Sequence, residues 1–245
     1  MNSSRKAAVT VGVLFILGFA GVFSPVFVKP ILDDPNYLFK LAENSNQVVV
    51  GALFELIMAF ACAGIAIGLY PILRKHNEFL ALGAVGFRLI ENIFQIVAAL
   101  CLLSLLTLSQ EFAKSGAANA SSFQALGALL LAVRFWAPLV LAQIGFGLGA
   151  LMYYYVFYQS RLIPRWLSGW GLIAIALQLV VAFLVMFLQI DPFSGSPILL
   201  LSIPIFFQEL TLAGWLIVKG FNPSAVASGA SQTNINQERA IFSAA

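Results

Sequence analysis

Five charged residues interrupt stretches that are otherwise apolar: Glu55, Arg88, Glu91, Arg134 and Glu209. A charge at the centre of a bilayer costs at least about 2.5 kcal/mol on insertion scales, so such residues turn toward a bundle interior or a wet cavity. Within one apolar stretch, Arg88 and Glu91 are three apart, Arg88 and Asn92 four apart, and Gln95 is four beyond Glu91. That spacing places all four polar side chains on one stripe of a helix, which is expected to face inward. Three acids against two bases sum to −1, and burial beside a like charge favours a carboxyl that binds a proton. A proton-carrying acid suits a proton-coupled carrier or a general-acid enzyme. The candidate substrate- or proton-binding set is therefore Glu55, Arg88, Glu91, Asn92, Arg134 and Glu209. The competing reading is a static salt-bridge network that only orders the bundle.

Other chemistries are missing. The single histidine, His76, lies beside Arg74 and Lys75 in a polar turn, and Cys62 and Cys101 are separate and embedded in apolar sequence. One His and two separated Cys exclude a standard zinc site, so no metal and no cofactor are expected. No lysine lies within an apolar stretch, and DDxxD, GxSxG, HExxH and Walker patterns are absent. Asp33 and Asp34 adjoin Pro35 and read as a solvated turn. Nothing resembles a basic nucleic-acid patch. No catalytic residue is assigned, and whether the chain is an enzyme stays open.

The elements that must position these charges follow from composition. Of 245 residues, 61% are hydrophobic and 9% charged, where a soluble domain carries roughly a quarter charged. The lipid bilayer must be much of the solvent, and a span needs about 20 apolar residues. Six segments qualify: 7–28, 48–70, 79–108, one within 122–158, 166–188 and 197–218. The fold class is all-α, a polytopic membrane bundle of about six spans with an extra short or broken helix before the fourth. Pro138 breaks that fourth region, read as a short helix over 122–135, interfacial or re-entrant, and a main span over 136–158. Pro138 and Pro204 each leave a carbonyl one turn upstream without its helical donor, at Arg134 and Leu200. Residues 1–221 read as one domain, and 222–245, rich in Ser, Ala, Asn and Gln, as a disordered cytoplasmic tail.

Counting inward along each span places Glu91 and Glu209 near the midplane, with Glu55 toward the outer side and Arg134 within reach of the same level. Eight basic residues flank one side of the six spans and three the other, which puts both termini in the cytoplasm. Tyr153, Tyr154, Tyr155 and Tyr158 with Trp166 and Trp170, next to arginines, read as a headgroup-level anchor. Gly64 and Gly68, and Gly145 and Gly149, form two GxxxG motifs, read as close packing inside the bundle. Oligomeric state is not legible.

Several runs carry a resemblance: Gly51-Ala-Leu-Phe-Glu-Leu-Ile-Met58, Leu69-Tyr-Pro-Ile-Leu-Arg74, Gly86-Phe-Arg-Leu-Ile-Glu91, Ser160-Arg-Leu-Ile-Pro-Arg-Trp-Leu-Ser168, and Glu209 followed by Trp215-Leu-Ile-Val-Lys-Gly220. In these the chain resembles the bacterial membrane family known as domain of unknown function 4386, from Ala7 to Asn222. The resemblance implies a multi-pass protein of the bacterial inner membrane and carries no activity. Three functional readings follow from the residues. The leading one is small-molecule or proton transport through the buried ionisable cluster. The alternatives are a membrane-embedded enzyme acting on a lipid or isoprenoid, and a non-catalytic scaffold or sensor. A small molecule or lipid in the bundle core would be the partner besides the bilayer.

Overall fold

The computed structural model describes residues 3–115, 120–190, 192 and 196–229. No strand occurs among them. α1 (Ser3–Gly18) runs through a 3-10 turn, Phe19–Phe23, into α2 (Ser24–Leu32), and a short α3 (Tyr37–Glu43) precedes α4 (Ser45–Leu73). α5 (Glu78–Ser115) is followed by α6 (Ala120–Trp136), which continues through a π-helical turn, Ala137–Leu141, into α7 (Ala142–Ser160). α8 (Arg165–Leu188), a 3-10 turn at Pro197–Ser202 and α9 (Ile203–Val218) follow. Six of the described stretches are long and apolar enough to cross a membrane: Ser3–Leu32, Ser45–Leu73, Glu78–Ser115, Ala120–Ser160, Arg165–Leu188 and Pro197–Val218. The expected short helix and main span of the fourth region are thus two parts of one broken helix. α3 was not anticipated; it lies in what reads from sequence as an external loop.

The prolines act where the backbone can absorb them. At Pro138 the helix widens, and the Ala142 amide donates to the Ala137 carbonyl, five residues back. Single π-turns of this kind let a helix survive an interior proline and tend to mark functional positions. Pro204 sits in the first turn of α9, where no amide donor is required. The Leu200 carbonyl accepts from the Ile203 amide instead, so the sixth span does not carry the free carbonyl expected there.

Each span packs on two others: α4 on α5, α5 on α7, α7 on α8, α8 on α9, α9 on α1, and α1 on α4. Two of these seams rest on the GxxxG motifs. A Cβ at Gly145 would stand 2.9 Å from the Glu91 amide nitrogen and 3.0 Å from the Phe87 carbonyl, so α5 and α7 touch backbone to backbone. A Cβ at Gly68 would meet Val11 at 2.8 Å and one at Gly64 would meet Leu14 at 3.1 Å, so α1 lies in the small-residue groove of α4. Both motifs are spent inside the bundle.

The interior is layered along the helix axes. Toward the chain termini lies an apolar cluster that includes Val11, Phe15, Ile65, Leu69, Ala84, Tyr153 and Leu216. Toward the other end lies a second, with Val28, Leu41, Val48, Ala52, Leu102 and Leu105. Ala84 and Leu102 are 18 residues apart on α5, about 27 Å, and the buried Arg88, Glu91, Asn92 and Gln95 fall between them. α5 has 38 residues, about 57 Å, against a hydrocarbon core of about 30 Å. Its far end is flanked by α6 and by α3, whose Leu38 carbonyl accepts from the Ser109 hydroxyl. In the turn before α3, Asp34 accepts from Lys40 and, at 2.8 Å, from the Asn36 amide, which holds its carboxyl below the usual range.

Residues 223–229, assigned above to a disordered tail, are helical. The Asn222 amide donates to the Leu162 carbonyl at 2.8 Å, and Phe221 and Ala225 are buried against the first apolar cluster. Buried apolar contact is what composition alone did not reveal. The remaining expected tail, 230–245, lies outside the described residues.

The α5–α7 seam generates a paired test. Gly145→Val is expected to destabilise the protein by about 1–3 kcal/mol through overpacking against backbone. Gly86→Ala places its Cβ in open space and is expected to be stabilising by up to about 1 kcal/mol through helix propensity. Thermal unfolding in detergent measures both, and shifts of the same sign and size would contradict the seam.

Candidate functional site

The polar stripe of α5 faces inward as its spacing predicts. Arg88 is 1% exposed, Glu91 5%, Gln95 8% and Asn92 9%. Arg88 Nη1 lies 2.9 Å from Glu91 Oε2 across one helical turn. The N–H does not point along that line, so the pair is electrostatic without being a well-formed hydrogen bond. The guanidinium also donates from Nη2 to the Cys62 carbonyl of α4 at 3.4 Å and stacks over the Phe146 ring of α7 at 4.9 Å. Gly149 permits this: a Cβ there would stand 3.0 Å from Arg88 Cγ. The small residue on α7 thus opens the space through which arginine crosses the seam.

Two further groups complete this inner layer. The Glu209 carboxyl of α9 is within electrostatic reach of Arg88 and Glu91 and neighbours the Tyr153 hydroxyl. The Cys62 thiol neighbours Glu91. Glu209 as a residue is half-buried, while its Oε1 is closed from solvent. Among the described residues, eight buried side-chain polar atoms have no hydrogen-bond partner: Arg88 Nε and Nη1, Glu91 Oε2, Asn92 Oδ1, Tyr153 Oη and Glu209 Oε1 on α5, α7 and α9, with His76 Nε2 and Gln178 Oε1 elsewhere. Native interiors pair nearly all such atoms, so their concentration on α5, α7 and α9 is the most unusual feature of the molecule.

Arg134 and Glu55 are elsewhere. Arg134 Nη1 donates to Glu55 Oε2 at 3.0 Å and Nη2 to Oε1 at 2.5 Å, a two-pronged pair. Nη1 also reaches the Ala98 carbonyl at 2.9 Å, and the Ser24 hydroxyl donates to Glu55 Oε1 at 2.6 Å. Seven residues separate Glu55 from Cys62 on α4 and Glu91 from Ala98 on α5, so this outer layer sits about 10 Å from the inner one. The five charges thus fall on two levels: Glu55 lies toward the outer side, as counting along the span suggests, and Arg134 joins it there instead of reaching Glu91 and Glu209. The reason is α6: Arg134 reaches inward from the segment before the π-turn, toward the outer half of α4 and α5.

The division redistributes charge. The outer layer holds one acid and one base, both fully engaged. The inner layer holds Glu91 and Glu209 against Arg88 alone, so the formal −1 belongs there.

Further polar contacts join the spans, one of them bordering the inner layer through Tyr154, whose ring lies 4.5 Å from that of Tyr153. Tyr154 donates to Gln208 Oε1 at 2.5 Å, and Gln208 Nε2 donates to the Leu167 carbonyl at 3.1 Å, tying α7, α8 and α9. Gln178 Nε2 donates to Gln143 Oε1 at 2.9 Å between α8 and α7.

The aromatic anchor is only partly as expected. Tyr155, Tyr158 and Trp166 are exposed, but Tyr153 and Tyr154 are fully buried. Proximity to Arg161 and Arg165 drew all four tyrosines into one reading. The overlooked signal was the run Gly145, Gly149, Tyr153 at four-residue steps, one stripe that faces α5. Ser24, followed by Pro25 inside the first span, carries no sequence signal that marks it as the hydroxyl donor to Glu55. No group of three or more metal-ligating side chains occurs among the described residues.

The protein family described as Domain of unknown function (DUF4386) matches residues 10–220, and the chain belongs to it. Neither a curated protein nor a solved structure matches the chain.

Arg88→Ala leaves Glu91 and Glu209 without a base. Removing one side of a buried ion arrangement typically costs about 3–5 kcal/mol. Glu91→Gln leaves Arg88 its second acid and is expected to cost less. Acidification is expected to restore part of the loss in Arg88→Ala, because carboxyls take up protons, and to deepen the loss in Glu91→Gln, because the guanidinium keeps its charge while its remaining acid, Glu209, is neutralised. A pH series of unfolding in detergent decides it; equal, pH-independent losses would contradict the shared inner layer.

Proposed function

We propose that this DUF4386 protein is a proton-handling membrane carrier, moving protons alone or with a small solute, and that its proton site is the inner layer of Arg88, Glu91, Tyr153 and Glu209. The observation that carries this reading is the convergence of unpartnered buried polar atoms from α5, α7 and α9. An unmet buried polar group costs about 1–3 kcal/mol. A fold that keeps several together holds them for something that binds, and ionisable residues within spans most often mark ion or substrate pathways.

Charge favours a proton. The inner layer carries two acids and one base, so its neutrality calls for one bound proton shared between Glu91 and Glu209. Tyr153 stands beside Glu209 as a hydroxyl that can both accept and donate. The outer Arg134–Glu55 pair, already balanced, acts as a closure between this layer and the loops at the far end. The excess of flanking Lys and Arg supports placing the termini in the cytoplasm, and the family resemblance supports a bacterial inner membrane.

The lipid-enzyme reading draws on one observation. A groove of about 670 Å³ runs between α5 and α6, lined by Ser104, Thr107, Glu111, Phe123, Leu126 and Leu129, among others. Its α5 residue nearest the inner layer, Ser104, stands 13 positions beyond Glu91, about 20 Å away. A tail lying in that groove does not reach the inner layer, and the groove's own acid, Glu111, is paired with Lys114 at 2.8 Å.

Infrared spectra of the purified protein at neutral pH are expected to show one protonated carboxyl. Its band should vanish in Glu91→Gln or Glu209→Gln and persist in Glu55→Gln. Reconstituted vesicles should discharge an imposed pH gradient faster than protein-free ones, and Glu209→Gln should return the rate to background. A wild type with every carboxyl ionised and vesicles no leakier to protons than empty ones would sink the proposal.

A further inference from the structure

At the end of the bundle that holds the chain's N-terminus, a cavity of about 380 Å³ opens between α1, the turn after α4, and the segment that follows α9. Arg5, Lys75 and Lys219 line it together with Phe221, Pro223 and Val226, and among the described residues no acidic one does. Each base stands at the end of a span: Arg5 in the first turn of α1, Lys75 two residues past α4, Lys219 one residue past α9. Span ends of this kind lie at the depth of lipid headgroups.

Arg5 is held in place. Nη1 donates to the Leu216 carbonyl at 3.1 Å, and Nη2 to the Ile217 carbonyl at 2.5 Å and the Val218 carbonyl at 3.2 Å. These are the carbonyls that the end of α9 leaves without helical donors, and a cation there also meets the negative end of the helix dipole. Gly220, at φ +73°, turns the chain away and lets the guanidinium lie against it; a Cβ there would stand 3.0 Å from Arg5 Nη1. The fixed arginine forms one wall and absorbs α9's terminal charge. Lys75 and Lys219 then supply positive charge that no carboxylate neutralises at ion-pair distance among the described residues. Phe221, Pro223 and Val226 give the same cavity an apolar wall.

From this arrangement we infer that the cavity is a binding site for the headgroup of an anionic phospholipid, with Lys75 and Lys219 on the phosphate and the apolar wall against the glycerol and upper acyl chains. Basic pockets between spans at the membrane surface suit such headgroups, each base near the surface contributing roughly fivefold in affinity. A soluble phosphate has no use for the apolar wall or for a position at headgroup depth. The inference stands apart from the proton site, which lies across the first apolar cluster.

Native mass spectrometry of the full chain in non-denaturing detergent tests it, with phosphatidylglycerol and phosphatidylcholine of identical acyl chains as probes. The wild type is expected to retain one phosphatidylglycerol in preference to phosphatidylcholine. The double variant Lys75→Gln with Lys219→Gln should lose about tenfold or more of that preference. Both lysines are outside the buried core, so its thermal midpoint should match wild type. The charge-keeping pair Lys75→Arg with Lys219→Arg should retain the preference, as should Lys114→Gln at the other end of α5. Equal retention of the two lipids, or a preference that survives the glutamine pair, would overturn the inference. So would displacement of the lipid by excess inorganic phosphate, which would mark a soluble-anion site.

Discussion

A guanidinium cannot shed its charge, so a buried arginine obliges the surrounding helices to bring it an acid. Arg88 is the largest of the fully buried side chains, and much of the bundle is arranged around it. Gly149 clears its path, Gly145 draws α7 onto the α5 backbone, Phe146 lies beneath its charged face, a carbonyl of α4 and the Glu91 carboxyl of α5 hold its head, and Glu209 of α9 lies within electrostatic reach. Four of the six spans are tied to one side chain. The apolar clusters above and below seal this layer.

Arg134 meets the same obligation by a different route. It stands on α6, a helix in which Gly127 is the buried residue, and it is held by the Ala98 carbonyl and by Glu55, whose carboxylate also accepts from Ser24. A helix that buries so little, joined to the bundle through a π-turn, depends on that polar attachment for its position. The outer layer therefore works as a fastening, complete in itself. The inner layer is the one left with excess charge and unmet polar atoms, and that asymmetry is why function is placed there.

Much of this was legible in the sequence because the membrane enforces simple rules. Spans follow from apolar length, and the inward stripe of Arg88, Glu91, Asn92 and Gln95 follows from helical spacing and the cost of charge in lipid. The two GxxxG motifs announced close seams. Which acid each arginine takes was not legible. That depends on how far α6 reaches before the π-turn, and on three-dimensional register between α4, α5 and α6 that no local pattern encodes. Tyr153 and Tyr154 were misplaced because a tyrosine next to an arginine-bearing loop looks the same in sequence whether it faces headgroups or core. The short helices α3 and 223–229 escaped because each is stabilised by packing onto the bundle, not by its own composition.

The five charges within the spans form two separate layers. Double-mutant cycles on thermal or denaturant unfolding in one detergent measure it directly, since contacting groups couple by about 0.5–3 kcal/mol and groups more than about 7–10 Å apart without shared partners add. Two layers imply a coupling of at least about 1 kcal/mol between Glu55→Gln and Arg134→Gln, and additivity within about 0.5 kcal/mol between Arg88→Gln and Arg134→Gln. A coupling between the two arginines as large as that within the Glu55–Arg134 pair would contradict it and return all five charges to a single network.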